Sequence, residues 1–116
     1  TIGPNDSGIL DRLRTLLDVP YIVIRNEPIR NVVAVINRLD FFLSNDTGPL
    51  HIAGALRPPV LGLFGPTDPK QWAPPGKKNH YIAARDGNIG SIGTDEVLAM
   101  SRVILSQQGR ETVRFD

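Results

Sequence analysis

The chain has 116 residues, of which 41% are hydrophobic, so it can form one globular core and no more. Its 13 Lys and Arg nearly balance its 12 Asp and Glu, and a net charge of +1 provides no basic field for general binding to nucleic acid. The absence of cysteine excludes disulfides, thiolate zinc sites and thiol catalysis, and no apolar run approaches the roughly 20 residues of a membrane span.

The first part of the chain is predicted to alternate helices with a strand. A helix is expected after Asp6 or Ser7, either of which can cap it, because apolar residues then follow at helical spacing: Ile9, Leu10, Leu13, Leu16 and Leu17. Residues 21–24 predict a short buried strand. Pro28 suits the first turn of a second helix, which has a continuous apolar face: Ile29, Val32, Val33, Ile36 and Leu39.

The alternation continues to the end of the chain. Residues 41–43 predict a second strand, and the turn after it leads into a short helix with Leu50, Ala53 and Leu56. Residues 60–64 predict a third strand, and the Pro-rich segment 67–78 predicts a loop with little regular structure. A short edge strand is expected at 80–83. A last helix starts at Thr94, with one apolar face: Val97, Leu98, Ser101, Ile104 and Leu105.

This alternation determines the predicted fold class. Strands that are apolar throughout and separated by helices indicate a parallel sheet covered on both faces, with right-handed crossovers. The prediction is an α/β, Rossmann-like, doubly wound architecture. Residues 1–3, TIG, are typical of the end of a strand. We therefore expect the first βα unit to be absent and the chain to be a piece of a longer protein.

The sequence SNDTGPLH, residues 44–51, is a candidate site because ligands bind outside the carboxyl ends of strands in such sheets. Free amides at the start of the next helix favour an anion, Gly48 allows a phosphate to approach closely, and the Thr47 hydroxyl adds a donor. Asp46 would repel a phosphate and is better suited to accept hydrogen bonds from sugar hydroxyls. His51 can donate to a phosphate oxygen, more strongly when it is protonated.

A second interpretation of the same turn needs no ligand. Asp46 or Thr47 would be an ordinary N-cap, and Pro49 would be a first-turn proline. The local chemistry alone leaves both interpretations open.

A second loop, GPTDPKQWAP at residues 65–74, should open on the same edge of the sheet. SNDTGPLHIA at 44–53 and PVLGLFGPTDP at 59–69, with Trp72 and Pro74, together resemble the signature of glycosyltransferase family 9. These are the heptosyltransferases that transfer heptose from ADP-heptose during lipopolysaccharide core assembly. DTG alone is a weak motif, whereas DTGxxHxA followed after a strand by FGPTDP is specific. The resemblance runs from about residue 3 to the last helix.

The resemblance implies a GT-B fold, in which two Rossmann-like domains face a cleft. Residues 1–116 would be part of the C-terminal, donor-binding domain, without the N-terminal acceptor domain. The implied binding residues are Asp46 at the sugar hydroxyls, Thr47, Gly48 and His51 at the pyrophosphate, Asn26 and Glu27 at the adenine, Asp6 or Ser7 at the ribose, and Thr67 and Asp68 at the sugar side of the cleft.

The resemblance also implies what this chain lacks. The family's acceptor site and acidic catalytic base lie in the N-terminal domain, and a donor-contacting lysine lies near the start of the C-terminal one. No residue here is therefore assigned as a catalytic base, and we expect the fragment alone to be inactive and not to remain a stable monomer. No metal or cofactor is expected, because His51 and His80 are isolated and inverting transfer on this fold needs none. His80 is interpreted as a surface residue.

The expected partners are a nucleotide-sugar donor, with ADP-heptose the leading candidate, and a lipopolysaccharide-type acceptor bound through the absent domain. The predicted location is the cytoplasm, with the complete enzyme at the inner face of the inner membrane. The alternative function is a non-catalytic α/β domain that binds a nucleotide or phosphate ligand, since fold alone cannot separate the two. A kinase or GTPase would need GxxxxGK[ST] and a dinucleotide oxidoreductase GxGxxG, and the sequence has neither.

Overall fold

A computed structural model of the chain describes residues 5–113, with side chains up to residue 108. The elements in chain order are α1 (Ser7–Leu16), α2 (Ile29–Ile36), β1 (Phe42–Asn45), α3 (Gly48–Ala55), β2 (Val60–Phe64), α4 (Pro69–Trp72), β3 (Asn79–Ala83), a 3₁₀ turn (Ile89–Ser91) and α5 (Thr94–Val113). The chain divides into two compact units, residues 1–35 and residues 36–116.

The first unit contains α1, which begins where the sequence predicts. Asp6 occupies the N-cap position, and its carbonyl oxygen accepts a hydrogen bond from the Leu10 N–H at 3.0 Å. Leu10 is buried. Pro28 immediately precedes α2, and its carbonyl oxygen accepts from the Val32 N–H at 3.2 Å. The fixed φ of proline therefore stands at a helix start, as expected.

The predicted strand at residues 21–24 is wrong. These residues have no regular secondary structure, and the Ile22 side chain is 87% exposed. A strand is stabilised by hydrogen bonds to a neighbouring strand, and the sheet among the described residues consists of β1, β2 and β3. A short apolar run therefore has suitable side chains for a strand but does not guarantee a partner.

The second unit is built on a parallel sheet in the order β1-β2-β3. In the register, Ser44 is paired with Gly62, and Gly62 with Tyr81. β1 extends two residues beyond the predicted 41–43, to Asn45, and β3 begins one residue before the predicted 80. The parallel sheet with intervening helices confirms the α/β class and is consistent with a Rossmann-like part of a GT-B fold.

Helices pack on both faces of this sheet. Leu61 and Ile82 form a buried cluster with Ile104 of α5. Successive residues of a strand face opposite sides of the sheet, so Gly62, next to Leu61, faces the other side. A Cβ built on Gly62 would lie 3.1 Å from Cδ2 of Leu50 in α3. Glycine at position 62 therefore lets α3 pack closely against the strand. Along α5 itself, Val97 and Ser101 are half-buried, whereas Leu98 and Leu105 are largely exposed.

The segment 67–78 is not wholly irregular, because it contains α4. The Asp68 side chain caps this helix by accepting from the Lys70 N–H at 2.9 Å, and Pro69 occupies its first position. An acidic N-cap followed by proline is a helix-start signal, which the high proline content of the segment obscures.

At the carboxyl-terminal end of α3, backbone carbonyls accept hydrogen bonds from the side chains of Lys78 and Asn79, at the start of β3. The Lys78 ammonium donates to the carbonyl oxygens of Ala53, Gly54 and Pro58 at 3.5, 3.0 and 3.2 Å. Asn79 Nδ2 also donates to the Gly54 carbonyl oxygen, at 3.1 Å. Helix carbonyls at this end have no intrahelical donors, so these bonds satisfy them. Burial lowers the pKa of Lys78 below its ordinary 10.5.

None of the helices in the described part of the chain combines the length and the apolar character that crossing a membrane requires.

Candidate functional site

Two loops meet at the carboxyl ends of β1 and β2. Asp46 immediately follows β1, and Thr67 lies in the loop after β2. The Thr67 hydroxyl donates a hydrogen bond to Asp46 Oδ2 at 2.7 Å, and the Asp46 N–H donates to the Leu63 carbonyl oxygen at 3.2 Å. The main chain and the side chain of Asp46 are therefore both held by β2 and its loop. Sequence analysis predicts both residues in the site, and the structure brings them together.

His51 joins this pair from the first turn of α3. Its Nε2 lies 3.4 Å from Asp46 Oδ1, with the Asp46 side chain 19% exposed and the His51 side chain 46% exposed. A carboxylate beside Nε2 favours a proton on that nitrogen, which leaves Nδ1 as an acceptor in the neutral ring. Neutral His51 therefore offers a phosphate no second donor, whereas the imidazolium donates from both nitrogens.

The start of α3 has no side-chain cap. Thr47 occupies the N-cap position with extended backbone, φ −142° and ψ 170°, but its hydroxyl makes no capping hydrogen bond. That hydroxyl lies 3.2 Å from the Ser44 hydroxyl instead. Thr47 is therefore the N-cap residue by position, as the interpretation without a ligand allows, but neither its hydroxyl nor the Asp46 carboxylate, which is bonded to Thr67, caps the helix. Pro49 does stand in the first turn, as both interpretations expect.

At this helix start, the space that a side chain at position 48 would occupy is open. A Cβ built on Gly48, the first residue of α3, would have no atom within 4 Å, whereas one built on Gly54 would collide with Pro74. Packing within the protein therefore explains glycine at position 54 but not at position 48. An unobstructed first turn with no side-chain cap is the arrangement in which helix amides and the helix dipole can receive an anion.

Asp68 differs from its neighbour Thr67. Its carboxylate is occupied by the start of α4, while the Thr67 hydroxyl points to Asp46. Both side chains are exposed. Asp68 therefore has a structural role in the loop, and its contact with a ligand stays a prediction.

Four of the predicted site residues belong to the first unit. Asn26 adopts the left-handed conformation, with φ 53°, and Glu27 Oε2 accepts a hydrogen bond from Asn31 Nδ2 at 2.8 Å. They do not end a strand, because no strand forms at 21–24. Asp6 and Ser7 stand at the start of α1, where the Asp6 side chain makes no capping hydrogen bond. Their ligand contacts stay predictions.

Sequence analysis missed a third loop at the same edge of the sheet. A cavity of about 450 Å³ opens after β3, lined by Ala83, Ala84, Arg85, Asp86, Ser91, Ile92 and Glu96. Asp86 Oδ1 accepts from the Ser91 hydroxyl at 2.6 Å and from the Asn88 N–H at 2.9 Å, and these hydrogen bonds lower the pKa of Asp86. Ligands bind outside the carboxyl ends of parallel strands, and this rule applies to the loop after β3 as much as to the loops after β1 and β2.

Comparison with known proteins agrees with the sequence signature. The family model described as glycosyltransferase family 9 (heptosyltransferase) matches residues 2–92. A curated relative, the lipopolysaccharide core heptosyltransferase OpsX of Haemophilus influenzae, is 32% identical over 60 residues. This match covers 52% of the chain and 17% of the relative. No solved structure matches the chain significantly.

Proposed function

The chain belongs to glycosyltransferase family 9, and we propose that it binds the nucleotide-sugar donor of an inverting glycosyltransferase. The observation that carries the proposal is the hydrogen bond from Thr67 to Asp46, with His51 beside it, at the carboxyl ends of two parallel strands. We propose ADP-heptose as the donor and the lipopolysaccharide core as the acceptor. The family description and the printed name of the Haemophilus relative support this choice.

Asp46 is proposed to bind the sugar. Each carboxylate oxygen can accept about two hydrogen bonds. Thr67 takes up one position on Oδ2 and His51 lies beside Oδ1, which leaves acceptor capacity for hydroxyl donors. A sugar hydroxyl donates to a carboxylate through a charge-assisted hydrogen bond, which is stronger than one between neutral groups. Thr67 and Asp68 are proposed to lie on the same, sugar-binding side.

The start of α3 is proposed to bind the pyrophosphate. The open space at Gly48 allows a phosphate to reach the first-turn amides, and the Thr47 hydroxyl is not engaged in capping. When the sugar leaves, negative charge increases on the departing phosphate. Fixed amides and a helix dipole aimed at that charge stabilise it more in the transition state than in the ground state. Protonated His51 would add a donor to the same oxygen atoms.

The nucleoside contacts are proposed from the resemblance alone. Asn26 and Glu27 would contact the adenine, and Asp6 or Ser7 the ribose. No catalytic base is proposed among the residues of this chain. The proposed location of the enzyme is the cytoplasmic face of the inner membrane.

Two measurements test the proposal together. The protein that carries this chain is titrated with ADP, GDP and UDP, and binding is followed by calorimetry and by the amide NMR signals of Thr47, Gly48, Leu50 and His51. We expect ADP to bind most tightly and to shift these four signals. In parallel, the protein that carries this chain is mixed with ADP-heptose and a lipopolysaccharide acceptor, and release of ADP is measured.

The outcomes separate the two candidate classes. ADP binding at residues 46–51 together with sugar transfer supports the proposed enzyme. ADP binding there without sugar transfer identifies a non-catalytic nucleotide-binding domain. No nucleotide binding at these residues overturns the donor-site assignment.

A further inference from the structure

A separate cavity lies at the opposite edge of the sheet, at the amino-terminal ends of β2 and β3. Its volume is about 260 Å³. Arg57, Lys77, Lys78 and His80 contribute to its lining, with Gln107 and Gln108 of α5. The strand β2 has five residues, so the two edges are separated by roughly 16 Å at about 3.3 Å per residue.

Positive charge is concentrated in this cavity. Among the lining residues that the structure describes, three are Lys or Arg and none is Asp or Glu. The chain as a whole is almost neutral, with 13 cationic and 12 anionic side chains. A concave surface whose described charged groups are all cationic favours an anionic occupant.

Two of the cationic groups have donors to offer a ligand. Lys77 forms no hydrogen bond or ion pair with the residues that the structure describes. Arg57 Nε and Nη2 donate to the carbonyl oxygens of Asn37 and Leu39 at 3.1 and 3.4 Å. These two bonds hold the guanidinium in place and leave the Nη1 donors for another acceptor. Lys78 is already bonded to the end of α3 and contributes its charge.

We propose that this cavity binds a phosphate group through Arg57 and Lys77, with the Gln107 amide as a further donor. A planar guanidinium matches the oxygens of phosphate, and a lysine supplies a compact charge. Ligand pockets for drug-sized molecules start at about 300 Å³, so the volume suits one phosphate group rather than a whole nucleotide. The group could be inorganic phosphate or the headgroup phosphate of an anionic lipid.

The first experiment titrates the protein that carries this chain with inorganic phosphate at constant ionic strength and follows the amide NMR signals of residues 5–113. We expect shifts at Lys78, His80 and Gln107. Lys77→Glu should weaken this binding by about tenfold or more, because it replaces attraction with repulsion. Its matched control is Arg102→Glu, which changes the net charge equally. Arg102 lies two residues from Ile104 on α5, about 200° around the helix, and should leave binding unchanged.

A second arm identifies the source of the phosphate. Sedimentation with phosphatidylglycerol vesicles, compared with phosphatidylcholine vesicles, tests for a lipid headgroup. Binding to the anionic vesicles that Lys77→Glu abolishes and Arg102→Glu preserves indicates a lipid. Phosphate binding without vesicle binding indicates a soluble ligand.

Three results would overturn the proposal: neither probe binds, the phosphate shifts fall at residues 46–51 alone, or Lys77→Glu binds as the unchanged chain does. Lys77 is exposed, so the variant should fold, and an unchanged melting temperature verifies this. Because the nucleotide titration reports on other amides, failure here leaves the proposed donor site unaffected.

Discussion

The two ends of α3 differ in whether side chains satisfy the backbone groups that have no partner within the helix. At the carboxyl-terminal end, Lys78 and Asn79 donate hydrogen bonds to the last carbonyls. At the amino-terminal end, the Thr47 side chain makes no capping bond and the space at Gly48 is open. One end is satisfied within the protein, while the other retains capacity for a ligand. Within α3, internal satisfaction of the terminal backbone groups thus distinguishes the end that maintains the fold from the end that is proposed to bind a ligand.

The largest expected effect comes from breaking the satisfied end. Lys78→Met removes the ammonium from the carbonyls of Ala53, Gly54 and Pro58. We expect the free energy of unfolding to fall by about 2 to 3 kcal/mol, since hydrogen bonds from a charged donor are lost and carbonyls remain unpaired. Urea denaturation measures this change. Lys77→Met is the matched control, because Lys77 is exposed, and it should change stability by less than about 0.5 kcal/mol.

The comparison would fail if the two lysine variants lost equal stability. The folded fraction of Lys78→Met, at low temperature, should still bind ADP with unchanged affinity. Weakened ADP binding there would mean that the two ends of α3 are not functionally separate.

The next effect comes from obstructing the open end. Gly48→Val places a branched side chain where a phosphate is proposed to approach the amides, and ADP affinity should fall by about 1 to 3 kcal/mol. Calorimetry measures the affinity. Gly93→Val is the control, since a Cβ at Gly93 likewise has no atom within 4 Å. Unchanged ADP affinity in Gly48→Val would contradict the pyrophosphate assignment.

A third test separates sugar binding from phosphate binding at the same edge. Asp46→Asn should lower sugar transfer about tenfold, or about 1.4 kcal/mol, in the protein that carries this chain. ADP affinity should stay nearly constant, because the carboxylate is not proposed to bind phosphate. Steady-state kinetics and calorimetry provide the two readings, with the exposed Asp95→Asn as control. Normal turnover in Asp46→Asn would favour a purely structural role.

The smallest effect concerns the loop after β3, where Asp86 is already satisfied by Ser91 and Asn88. The pKa of Asp86 lies below its ordinary 3.8, mainly because the Ser91 hydroxyl donates a hydrogen bond to the carboxylate and also because the Asn88 N–H does. The folded carboxylate therefore contributes stability above pH 3.8, and this contribution is lost as the pH falls through the lower, folded pKa. An NMR titration of the carboxyl carbon should show a higher midpoint in Ser91→Ala. An unchanged midpoint would mean that the hydroxyl does not act on this group.

Local patterns predicted much of the fold. Apolar spacing identified α1 and α5, and a continuous apolar run identified β2 at the residues where it forms. The proline at position 49 correctly marked the first turn of α3. These signals succeed because helical periodicity, N-terminal proline and β propensity act over a few neighbouring residues.

The failures concern interactions that a local pattern does not contain. Residues 21–24 have the composition of a strand, but a strand depends on a partner far away in sequence. Likewise, the motif predicted Asp46 and Thr67 as site residues without indicating that they bond to each other across 21 positions. The sequence assigned Lys78 only to a predicted loop, because its acceptors lie 20 or more residues earlier in the chain. Tertiary contacts decide all three cases.

The hydrogen bond between Thr67 and Asp46 also has an entropic consequence. Immobilising a flexible side chain when a ligand binds costs about 0.5 to 1.5 kcal/mol. Here the carboxylate is oriented by Thr67 before any ligand arrives, so that loss of rotamer freedom accompanies folding instead of binding. A sugar that matches the fixed direction of the carboxylate keeps more of its interaction energy as affinity, and one with a hydroxyl in another direction does not. Selectivity among sugar stereoisomers would then depend on the rigidity of Asp46.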